Sequence, residues 1–275
     1  MRQLCRTPGR PVRFREANRL EECSLVTMRV AIISDIHGNA HALEQVMADA
    51  MSFGPVDEIW CVGDIVGYGP DPAVCVSELA DAAYLGTRVI AIAGNHDRAA
   101  TGGLSTANFN PAAKRAAQWT SDHLDGRTHA WLERLRETEV VGTDGHFTLV
   151  HGSPNNPLWA YTTHPEDALD CLFTIRTRHC IVGHTHQPSL FERPESAGGT
   201  RFKPELPRQV PLSAGEVVDL QPNYRYVLNP GSVGQPRDGD PRAAYVLYEL
   251  RGPSQETMQL RRVQYDIDAV QARMR

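Results

Sequence analysis

Five short apolar runs in this chain each end abruptly in an aspartate, an asparagine or a histidine. The runs cover residues 30–33, 59–62, 89–93, 147–150 and 180–182. Apolar runs of this length, bounded by glycine or polar positions, predict strands that are buried on both faces of a parallel sheet. The polar residues would then lie at the carboxyl ends of the strands, where open α/β sheets form their ligand crevice.

Helical periodicity fills the intervals between these runs. Apolar residues recur at helical spacing over 39–51 and predict an amphipathic helix packed on the sheet. Trp119 and Trp131 fall on the expected core faces of two middle helices. The other predicted helices cover 72–83, 111–124, 127–137 and 165–173, and a last one begins at about 266.

The C-terminal part of the chain alternates apolar and polar positions. This pattern predicts a second, largely antiparallel sheet, with strands at 217–218, 224–228, 244–250 and 258–263. Before it, residues 192–209 hold three prolines and two glycines, and we expect them to form an excursion or linker.

Composition limits the classes of function. The chain has 275 residues, of which 41% are hydrophobic, enough for one large α/β domain or two small ones. No window of about 18 apolar residues occurs, so no transmembrane helix is expected. A net charge of −5 supplies no basic field, so nucleic acid is not an expected partner. The six cysteines show no Cys-x-x-Cys spacing, which favours a reducing, cytoplasmic compartment.

Residues 1–27 differ from the rest of the chain. They are rich in arginine and glutamate and lack the apolar core of a secretory signal. Met28 directly opens the first predicted strand. We therefore divide the chain into an N-terminal extension, 1–27, and a domain, 28–275. Translation that starts at Met28 is one hypothesis, and an ordered N-terminal arm is the alternative.

The polar residues at the strand ends form five short motifs. A single aspartate after a strand is usually a turn or cap residue, whereas five such endings favour one shared metal site. Carboxylate, amide and imidazole donors suit borderline first-row metals, and seven donors are too many for one ion and suit two. The motifs are Asp35-x-His37, Gly63-Asp64, Gly94-Asn95-His96-Asp97, His151-Gly152 and Gly183-His184-Thr185-His186.

In this order the motifs resemble those of the calcineurin-like metallophosphoesterase superfamily. The resemblance spans residues 30–186, and the segment Asn229-Pro230-Gly231-Ser232-Val233 is similar to the small prokaryotic phosphodiesterase and diadenosine tetraphosphatase-like branch. The resemblance implies an α/β fold, a four-layer αββα sandwich of two mixed β-sheets flanked by helices.

The resemblance also implies a dinuclear metal centre and a role for each donor. A hydroxide shared by the two ions would attack phosphorus, and His96 would protonate the leaving oxygen; a packing histidine is the alternative. We expect divalent transition metals, manganese first, with iron, zinc, nickel or cobalt as alternatives. One ion would be held by Asp35, His37 and His186, the other by Asn95, His151 and His184, with the catalytic Asp64 bridging them.

The chain departs from the serine/threonine phosphatases of this superfamily just after Asp64. Gly67 and Tyr68 stand where those enzymes have an aspartate that orients the acid histidine and an arginine that grips phosphate. Protein phosphatase activity is therefore not expected. Asp97 becomes the candidate that orients His96.

Two further residues are candidate substrate contacts. Asn39 could contact phosphate or cap the helix behind it, and capping is favoured. Arg237 could bind phosphate bidentately or form an ordinary loop salt bridge. We expect the loops 67–72, 99–110 and 153–163 to wall the site and set its specificity.

The expected function is hydrolysis of phosphate esters by a dinuclear metal-dependent enzyme, with phosphodiesters of small nucleotide-like substrates favoured. The alternatives are a phosphomonoesterase or a nuclease that uses the same site, or a non-catalytic protein-binding scaffold of the same fold. The expected partner is a small phosphoester and not a membrane, and a homo-oligomer is left open.

Overall fold

The first strand of the fold begins just before Met28. A computed structural model describes residues 26–84, 86–200, 203–252 and 255–275, so residues 1–25 of the expected extension lie outside the described residues. Strand β1 (Val26–Ile33) pairs Val26 with Arg251. Val26 and Thr27 therefore belong to a sheet of the domain, and a translation start at Met28 stays a prediction.

The described residues form fourteen strands and seven α-helices. None of these helices has the length and apolar character that a membrane crossing requires. The remaining strands are β2 (Glu58–Cys61), β3 (Arg88–Ala91), β4 (Thr138–Val141), β5 (Phe147–Val150), β6 (His179–Ile181), β7 (Ser189–Pro194), β8 (Gly199–Thr200), β9 (Lys203–Pro204), β10 (Arg208–Val210), β11 (Val217–Leu220), β12 (Tyr224–Asn229), β13 (Ala243–Arg251) and β14 (Gln255–Val263). The helices are α1 (Ala40–Met51), α2 (Pro72–Tyr84), α3 (Asn95–Ala100), α4 (Pro111–His123), α5 (Gly126–Glu133), α6 (Pro165–Thr174) and α7 (Ile267–Arg273).

Two six-stranded mixed sheets carry the fold. The first has the order β11-β14-β13-β1-β2-β3, in which β1, β2 and β3 are parallel and the others are antiparallel. The second has the order β10-β7-β12-β6-β5-β4, in which β12, β6 and β5 are parallel. β8 and β9 form a separate short hairpin.

Alternating side chains place the two sheets face to face with helices outside them. Ile32 of β1 and Ile181 of β6 share one buried cluster between the sheets. Ile33 of β1 packs instead with α1 and α2 on the outer face, and Cys180 of β6 packs with α6. Burying an isoleucine side chain, such as that of Ile32 or Ile33, stabilises a fold by about 1.5–3 kcal/mol. The predicted four-layer αββα sandwich is confirmed.

The alternation of the C-terminal strands predicts that they form one second sheet. They do not. β11, β13 and β14 extend the first sheet beside β1, whereas β12 joins the second sheet between β6 and β7. Alternation indicates which face of a strand is buried. It carries no information about which strand lies alongside, so the prediction of sheet membership is wrong.

The prolines and glycines of residues 192–209 predict an excursion or linker. The segment as a whole is not a linker. The segment contains the end of β7 and the start of β10, both in the second sheet: Glu192 pairs with Tyr226 of β12 and with Arg208 of β10. Pro194 ends β7, and the two glycines lie at the β8–β9 hairpin. The excursion is therefore confined to the middle of the segment.

The two tryptophans predicted for the core differ in burial. Trp131 packs against the cluster that α1 and α2 form with the first sheet. Trp119 is 40% exposed, and its ring stacks on His123, with the ring centroids 4.2 Å apart. Positions i and i+4 lie on the same side of a helix, so Trp119 covers its neighbour on α4 rather than the core.

Glu78 of α2 lies half-buried among other acidic groups. Burial, together with the charges of Glu44 and Asp71, raises the pKa of Glu78 to about 7, above its ordinary 4.5. The folded state therefore holds this proton more tightly than the unfolded chain does. Stability contributed by Glu78 is present below pH 4.5 and is lost as the pH rises through about 7.

We expect Glu78→Gln to raise the thermal unfolding temperature at pH 8, because the glutamine removes a charge that opposes folding. At pH 4 the variant and the wild type should unfold at nearly the same temperature, since Glu78 is protonated in both states. The exposed Glu133 of α5 provides the matched control, and Glu133→Gln should show no such pH dependence. Calorimetry at both pH values tests this, and an equal shift of Glu78→Gln at both would contradict it.

Candidate metal centre and active site

The carboxyl ends of the five predicted strands meet where the two sheets adjoin. In the first sheet, the N–H of Asp35 donates to the carbonyl of Gly63 at 3.0 Å. In the second, the N–H of Gly183 donates to the carbonyl of His151 at 2.8 Å. His151 also reaches the first sheet, because its Nδ1 lies 2.8 Å from the Val62 carbonyl. The turns that carry the predicted ligands therefore lie together.

The backbone of these turns is unusual. Non-glycine residues rarely adopt the left-handed region, because each costs about 1–3 kcal/mol and persists only where the surrounding structure fixes it. Five of the six that do so within the described ranges are predicted metal ligands. Such a concentration is typical of a functional site. The six are Asp35, His37, Asp64, Tyr68, His184 and His186, with φ between 51° and 66°.

Asp35, His37 and His186 form a first group of potential ligands. His186 Nε2 lies 3.2 Å from Asp35 Oδ1 and 3.1 Å from His37 Nε2. All three side chains are buried, and one ligand atom of each lies within 4.8 Å of the others. One metal ion could therefore be bound by all three.

Asp64, His151 and His184 form a second group with the same spacing. Asp64 Oδ2 lies 3.3 Å from His151 Nε2 in its own group and 3.8 Å from His37 Nε2 in the first. One carboxylate oxygen thus lies close to both groups.

Five buried atoms among the predicted ligands lack a hydrogen-bond partner in the described part of the chain. A buried polar group without a hydrogen bond costs about 1–3 kcal/mol, and a charged group costs more. A bound cation would remove this cost, and carboxylate, amide and imidazole donors suit divalent transition metals. The residues therefore fit such ions. Asn95 Oδ1 is also buried without a hydrogen-bond partner, and its assignment to the second ion stays a prediction. The unpartnered buried atoms are Asp35 Oδ1, Asp64 Oδ2, Asn95 Oδ1, His151 Nε2 and His184 Nε2.

Backbone carbonyls orient three of the four histidines. A carbonyl accepts a hydrogen bond, so each of these rings carries a proton on Nδ1, and Nε2 is the nitrogen through which a metal ion could be bound. This leaves Nε2 facing the centre in each case. The pairs are His37 with Val66 at 3.2 Å, His151 with Val62 at 2.8 Å and His186 with Gln235 at 2.6 Å.

Burial and neighbouring charges shift the pKa values of His184 and His151 in opposite directions. Burial lowers the pKa of His184 to about 3, with the charge of His151 as the second cause. Burial also lowers the pKa of His151, but the Asp64 carboxylate outweighs it and raises that pKa to about 9. Asp64 in turn keeps a pKa well below its usual value, because His151 and His96 outweigh the effect of burial. A cation bound at the second group would therefore displace the His151 proton.

The segment Asn229–Gly234 braces both groups. Ser232 Oγ donates to the Asp35 carbonyl at 2.8 Å, and the N–H of Gly234 donates to the same oxygen at 3.0 Å. Asn229 Nδ2 donates to the Gly183 carbonyl at 2.7 Å. This segment contains the predicted Asn-Pro-Gly-Ser-Val motif, which therefore holds the ligand-bearing turns rather than contributing a ligand.

His96 lies beside the centre, but Asp97 does not orient it. His96 Nδ1 is buried without a hydrogen-bond partner among the described residues. The Asp97 carboxylate accepts hydrogen bonds from the N–H groups of Val66 and Gly94, at 3.0 and 2.9 Å. The predicted role of Asp97 is therefore wrong, because its oxygens fix the loop after Asp64 and the first turn of α3.

Ring contacts surround His96 instead. Its ring centroid lies 4.5 Å from that of Tyr68, 4.9 Å from Phe109 and 5.0 Å from His37. A Cβ atom on Gly67 would lie only 2.5 Å from His96 Nδ1. The aspartate that serine/threonine phosphatases carry at this position would not fit here unless His96 moved.

The two predicted substrate contacts have different surroundings. Asn39 Oδ1 accepts from the N–H of Ala42 at 3.1 Å, and Asn39 Nδ2 donates to the Gly234 carbonyl at 3.1 Å. Both polar atoms are engaged, which favours the capping interpretation. Arg237 is exposed and donates to the Gln235 side chain at 2.7 Å. In the described ranges it forms no salt bridge.

Tyr68 lies next to Arg237. Burial raises the pKa of the Tyr68 hydroxyl, and the nearby Arg237 guanidinium opposes that rise. The ring of Tyr68 also meets the ring of His37, with the centroids 4.9 Å apart. An exposed cation and a hydroxyl therefore lie together beside the first group.

Sequence reasoning missed the aromatic rings around the centre. Tyr161 stacks on His184, with the ring centroids 4.3 Å apart and the planes at 11°. Trp159 and Phe109 meet edge to face at 5.1 Å. Their loops were among those expected to wall the site. Single aromatic residues within irregular loops have no periodicity, so nothing in the pattern marks them as site residues.

Comparisons with known proteins agree with this geometry. Residues 28–252 match the calcineurin-like phosphoesterase superfamily domain. A solved metallophosphoesterase structure from Sphaerobacter thermophilus is similar, with a TM-score of 0.71 and 41% identity, over 90% of this chain and 92% of that chain. The protein belongs to the calcineurin-like phosphoesterase superfamily. It is a metallophosphoesterase, a hydrolase of phosphoric esters.

Two curated relatives differ in how much of this chain they match. An uncharacterised protein of Methanocaldococcus jannaschii is 32% identical over 247 residues, which cover 88% of this chain and 90% of that protein. The symmetrical bis(5′-nucleosyl)-tetraphosphatase of Vibrio cholerae is 30% identical over 150 residues, which cover 53% of this chain and 52% of that protein.

We expect Gly67→Ala to destabilise the protein more than Gly102→Ala does. Gly67 has φ +94° and no room for a Cβ, whereas Gly102 has φ +77° and open space around it. Each alanine carries the cost of the left-handed backbone, about 1–2 kcal/mol, and only Gly67→Ala must also displace His96. Urea unfolding of both variants provides the measurement. Equal losses of unfolding free energy would contradict the close packing of Gly67 on His96.

Proposed function

We propose that the protein is a dinuclear metal-dependent phosphodiesterase that acts on small nucleotide-like substrates. The position of Asp64 carries this proposal, because its Oδ2 lies 3.8 Å from His37 Nε2 in one group and 3.3 Å from His151 Nε2 in the other. Two dications a few ångströms apart repel strongly, so an anion between them is required. The donors suit divalent transition metals, of which manganese is our first choice, with iron, zinc, nickel and cobalt as alternatives.

The donor set favours an anionic ester as the substrate. When bound, two divalent ions would lower the pKa of a water molecule and stabilise negative charge on a phosphoryl oxygen. Asp35 and Asp64 are the only carboxylates in the two groups, so they neutralise half of the four positive charges. The excess positive charge at the centre attracts a phosphoester.

His96 is the residue that we assign to protonation of the leaving oxygen. Its backbone N–H donates to Asp64 Oδ1 at 2.8 Å, which fixes the residue beside the second group. Its Nδ1 faces Gly67, so Nε2 is the ring nitrogen that can reach a substrate. A positioned general acid contributes about 10²–10⁴-fold to rate.

Arg237 and Tyr68 are the groups that we assign to binding the phosphoryl oxygens. Arg237 is exposed, and within the described residues no carboxylate pairs with it. A guanidinium can donate two parallel hydrogen bonds to phosphoryl oxygens, so Arg237 suits an anionic phosphoester. The preference for a diester rests on the resemblance to small prokaryotic phosphodiesterases. Asn39, whose polar atoms are engaged within the protein, stays a weaker candidate for the same role.

Other observations support the remaining parts of the proposal. The nucleotide-like substrate is supported by the match to a bis(5′-nucleosyl)-tetraphosphatase over about half of this chain. A protein-binding scaffold is disfavoured, because all seven predicted ligands are buried and six of them lie in the two groups. The reducing, cytoplasmic compartment is supported by the free cysteines that the structure describes, which are Cys61, Cys75, Cys171 and Cys180, all buried.

We expect the wild-type protein, stripped with a chelator and reloaded with Mn²⁺, to bind two ions per chain and to hydrolyse bis(p-nitrophenyl) phosphate. Asp64→Asn should lower both metal content and kcat, the latter by more than about 100-fold, since even an outer-shell change costs 10–100-fold. Asp57→Asn, at the opposite end of β2, is the matched control and should retain both. Elemental analysis and steady-state kinetics provide the measurements.

Two outcomes would contradict this assignment. Full activity of Asp64→Asn would exclude a bridging role for this carboxylate. Failure of the wild-type protein to bind any of the candidate metals would favour the scaffold alternative.

We expect His96→Asn to affect substrates according to their leaving group. An alkoxide needs a proton to depart, whereas p-nitrophenolate leaves readily without one, so the loss of a general acid slows alkyl leaving groups far more. The expected loss in kcat is about 10²–10⁴-fold for a dinucleoside phosphate and much smaller for bis(p-nitrophenyl) phosphate. Equal losses on both substrates, at unchanged metal content, would assign His96 to packing.

A further inference from the structure

Three aromatic residues line one side of the metal centre, and we call them the aromatic shelf: Phe109, Trp159 and Tyr161. Phe109 meets Trp159 edge to face, with ring centroids 5.1 Å apart and planes at 81°. Trp159 in turn approaches the His184 ring at 6.4 Å, and Tyr161 lies flat on it at 4.3 Å. None of these three takes part in the chemistry assigned above.

The shelf extends from His96, the proposed general acid, to His184, a predicted metal ligand. At one end, Phe109 lies against His96, with the ring centroids 4.9 Å apart. At the other end, Tyr161 covers His184 of the second ligand group. A group attached to the leaving oxygen would lie beside His96, since His96 must reach that oxygen. The shelf therefore lies where that group would be bound.

Tyr161 is the exposed part of the shelf. One ring face covers His184 with the planes at 11°, yet 54% of the residue remains exposed to solvent. Packing on His184 accounts for one face of the ring, and the exposed fraction is left for another group. A flat aromatic surface stacks on the π-face of a nucleobase or another planar ring.

The loop that carries Trp159 and Tyr161 is fixed at both ends. The N–H of Gly152 donates to the Pro157 carbonyl at 2.6 Å, and the N–H of Ala160 donates to the Asn156 carbonyl at 3.4 Å. After the shelf, the N–H of Thr163 donates to the Asp167 carboxylate of α6 at 2.9 Å. The rings are held in place before any ligand arrives, which lowers the entropic cost of binding.

We propose that the aromatic shelf binds a planar ring of the substrate, a nucleobase or a comparable aryl group carried on the phosphoester. This rests on the proposed phosphodiesterase function and gives it a substrate class. Esters without such a ring would reach the same metals and the same Arg237, but they would leave the shelf empty. The shelf thus discriminates between substrates of equal charge.

The test compares two ligands that differ only in the base. Adenosine 5′-monophosphate and ribose 5-phosphate present the same phosphate and sugar, so the ratio of their Kd values isolates the ring. We expect the Mn²⁺-loaded wild-type protein to bind the nucleotide at least about fivefold more tightly, the lower end of what one stacked base contributes. Isothermal titration calorimetry measures both affinities without reference to catalysis.

Variants of the shelf provide the controls. Tyr161→Ala should remove the difference in affinity between the nucleotide and ribose 5-phosphate, and it should leave the ribose 5-phosphate affinity and the metal content unchanged. Tyr161→Phe keeps the ring and should retain the difference in affinity. Phe173→Ala removes another exposed aromatic residue, on α6 and outside the shelf, and should also retain it. Trp159→Leu should weaken the nucleotide in the same direction as Tyr161→Ala.

The outcomes separate the shelf from the proposed function. Equal affinities for both ligands in the wild type, or an advantage that survives both Tyr161→Ala and Trp159→Leu, would overturn the shelf even if the enzyme hydrolyses phosphodiesters. A nucleotide advantage that depends on Tyr161, in a protein that hydrolyses no phosphodiester, would uphold the shelf and overturn the phosphodiesterase assignment. Tyr161→Ala could instead lose affinity for both ligands and also lose bound metal, with the same losses in Tyr161→Phe. That result would mean that Tyr161 supports His184, and it would also overturn the shelf.

Discussion

The structure depends on holding buried carboxylate and imidazole groups close together where the two sheets adjoin. Asp35 Oδ1, Asp64 Oδ2 and His184 Nε2 are all buried and lack hydrogen-bond partners in the described ranges. Buried charges are unfavourable unless they are both paired and hydrogen-bonded, and the left-handed backbone of Asp35, Asp64 and His184 adds a further cost. Only a rigid surrounding can maintain such an arrangement, and bound cations would satisfy the atoms that have no hydrogen-bond partner.

Two sheets are needed because the ligands come from both. Asp35 and Asp64 follow strands of the first sheet, and His151 and His184 follow strands of the second. The relative position of the sheets therefore sets the distance between the two ligand groups. Direct hydrogen bonds across the junction, such as that from the His151 ring to Val62, and the brace 229–234 fix that position. The large apolar cluster buried between the two sheets also stabilises their relative position.

Sequence reasoning succeeded where the signal is local. Each predicted ligand follows its strand within a few residues, so the pattern identifies the strand and the polar residue at its end, six of which lie in the two groups. Sheet membership is not local, because β13 pairs with β1 across more than 200 residues and alternation looks the same in either sheet. Likewise, Asp97 is next to His96 in sequence, yet its carboxylate points to the N–H groups of Val66 and Gly94. Adjacency in the chain does not determine where a side chain points.

The surroundings of His96 connect the two proposals about this site. Gly67 leaves no space for a carboxylate beside Nδ1, so aromatic rings hold the imidazole in place. Phe109 is one of those rings, and it also belongs to the shelf through its contact with Trp159. A planar group that stacks on the shelf would therefore tighten the packing around His96 itself. Binding energy from a part of the substrate that does not react would then be used to orient the residue that transfers the proton.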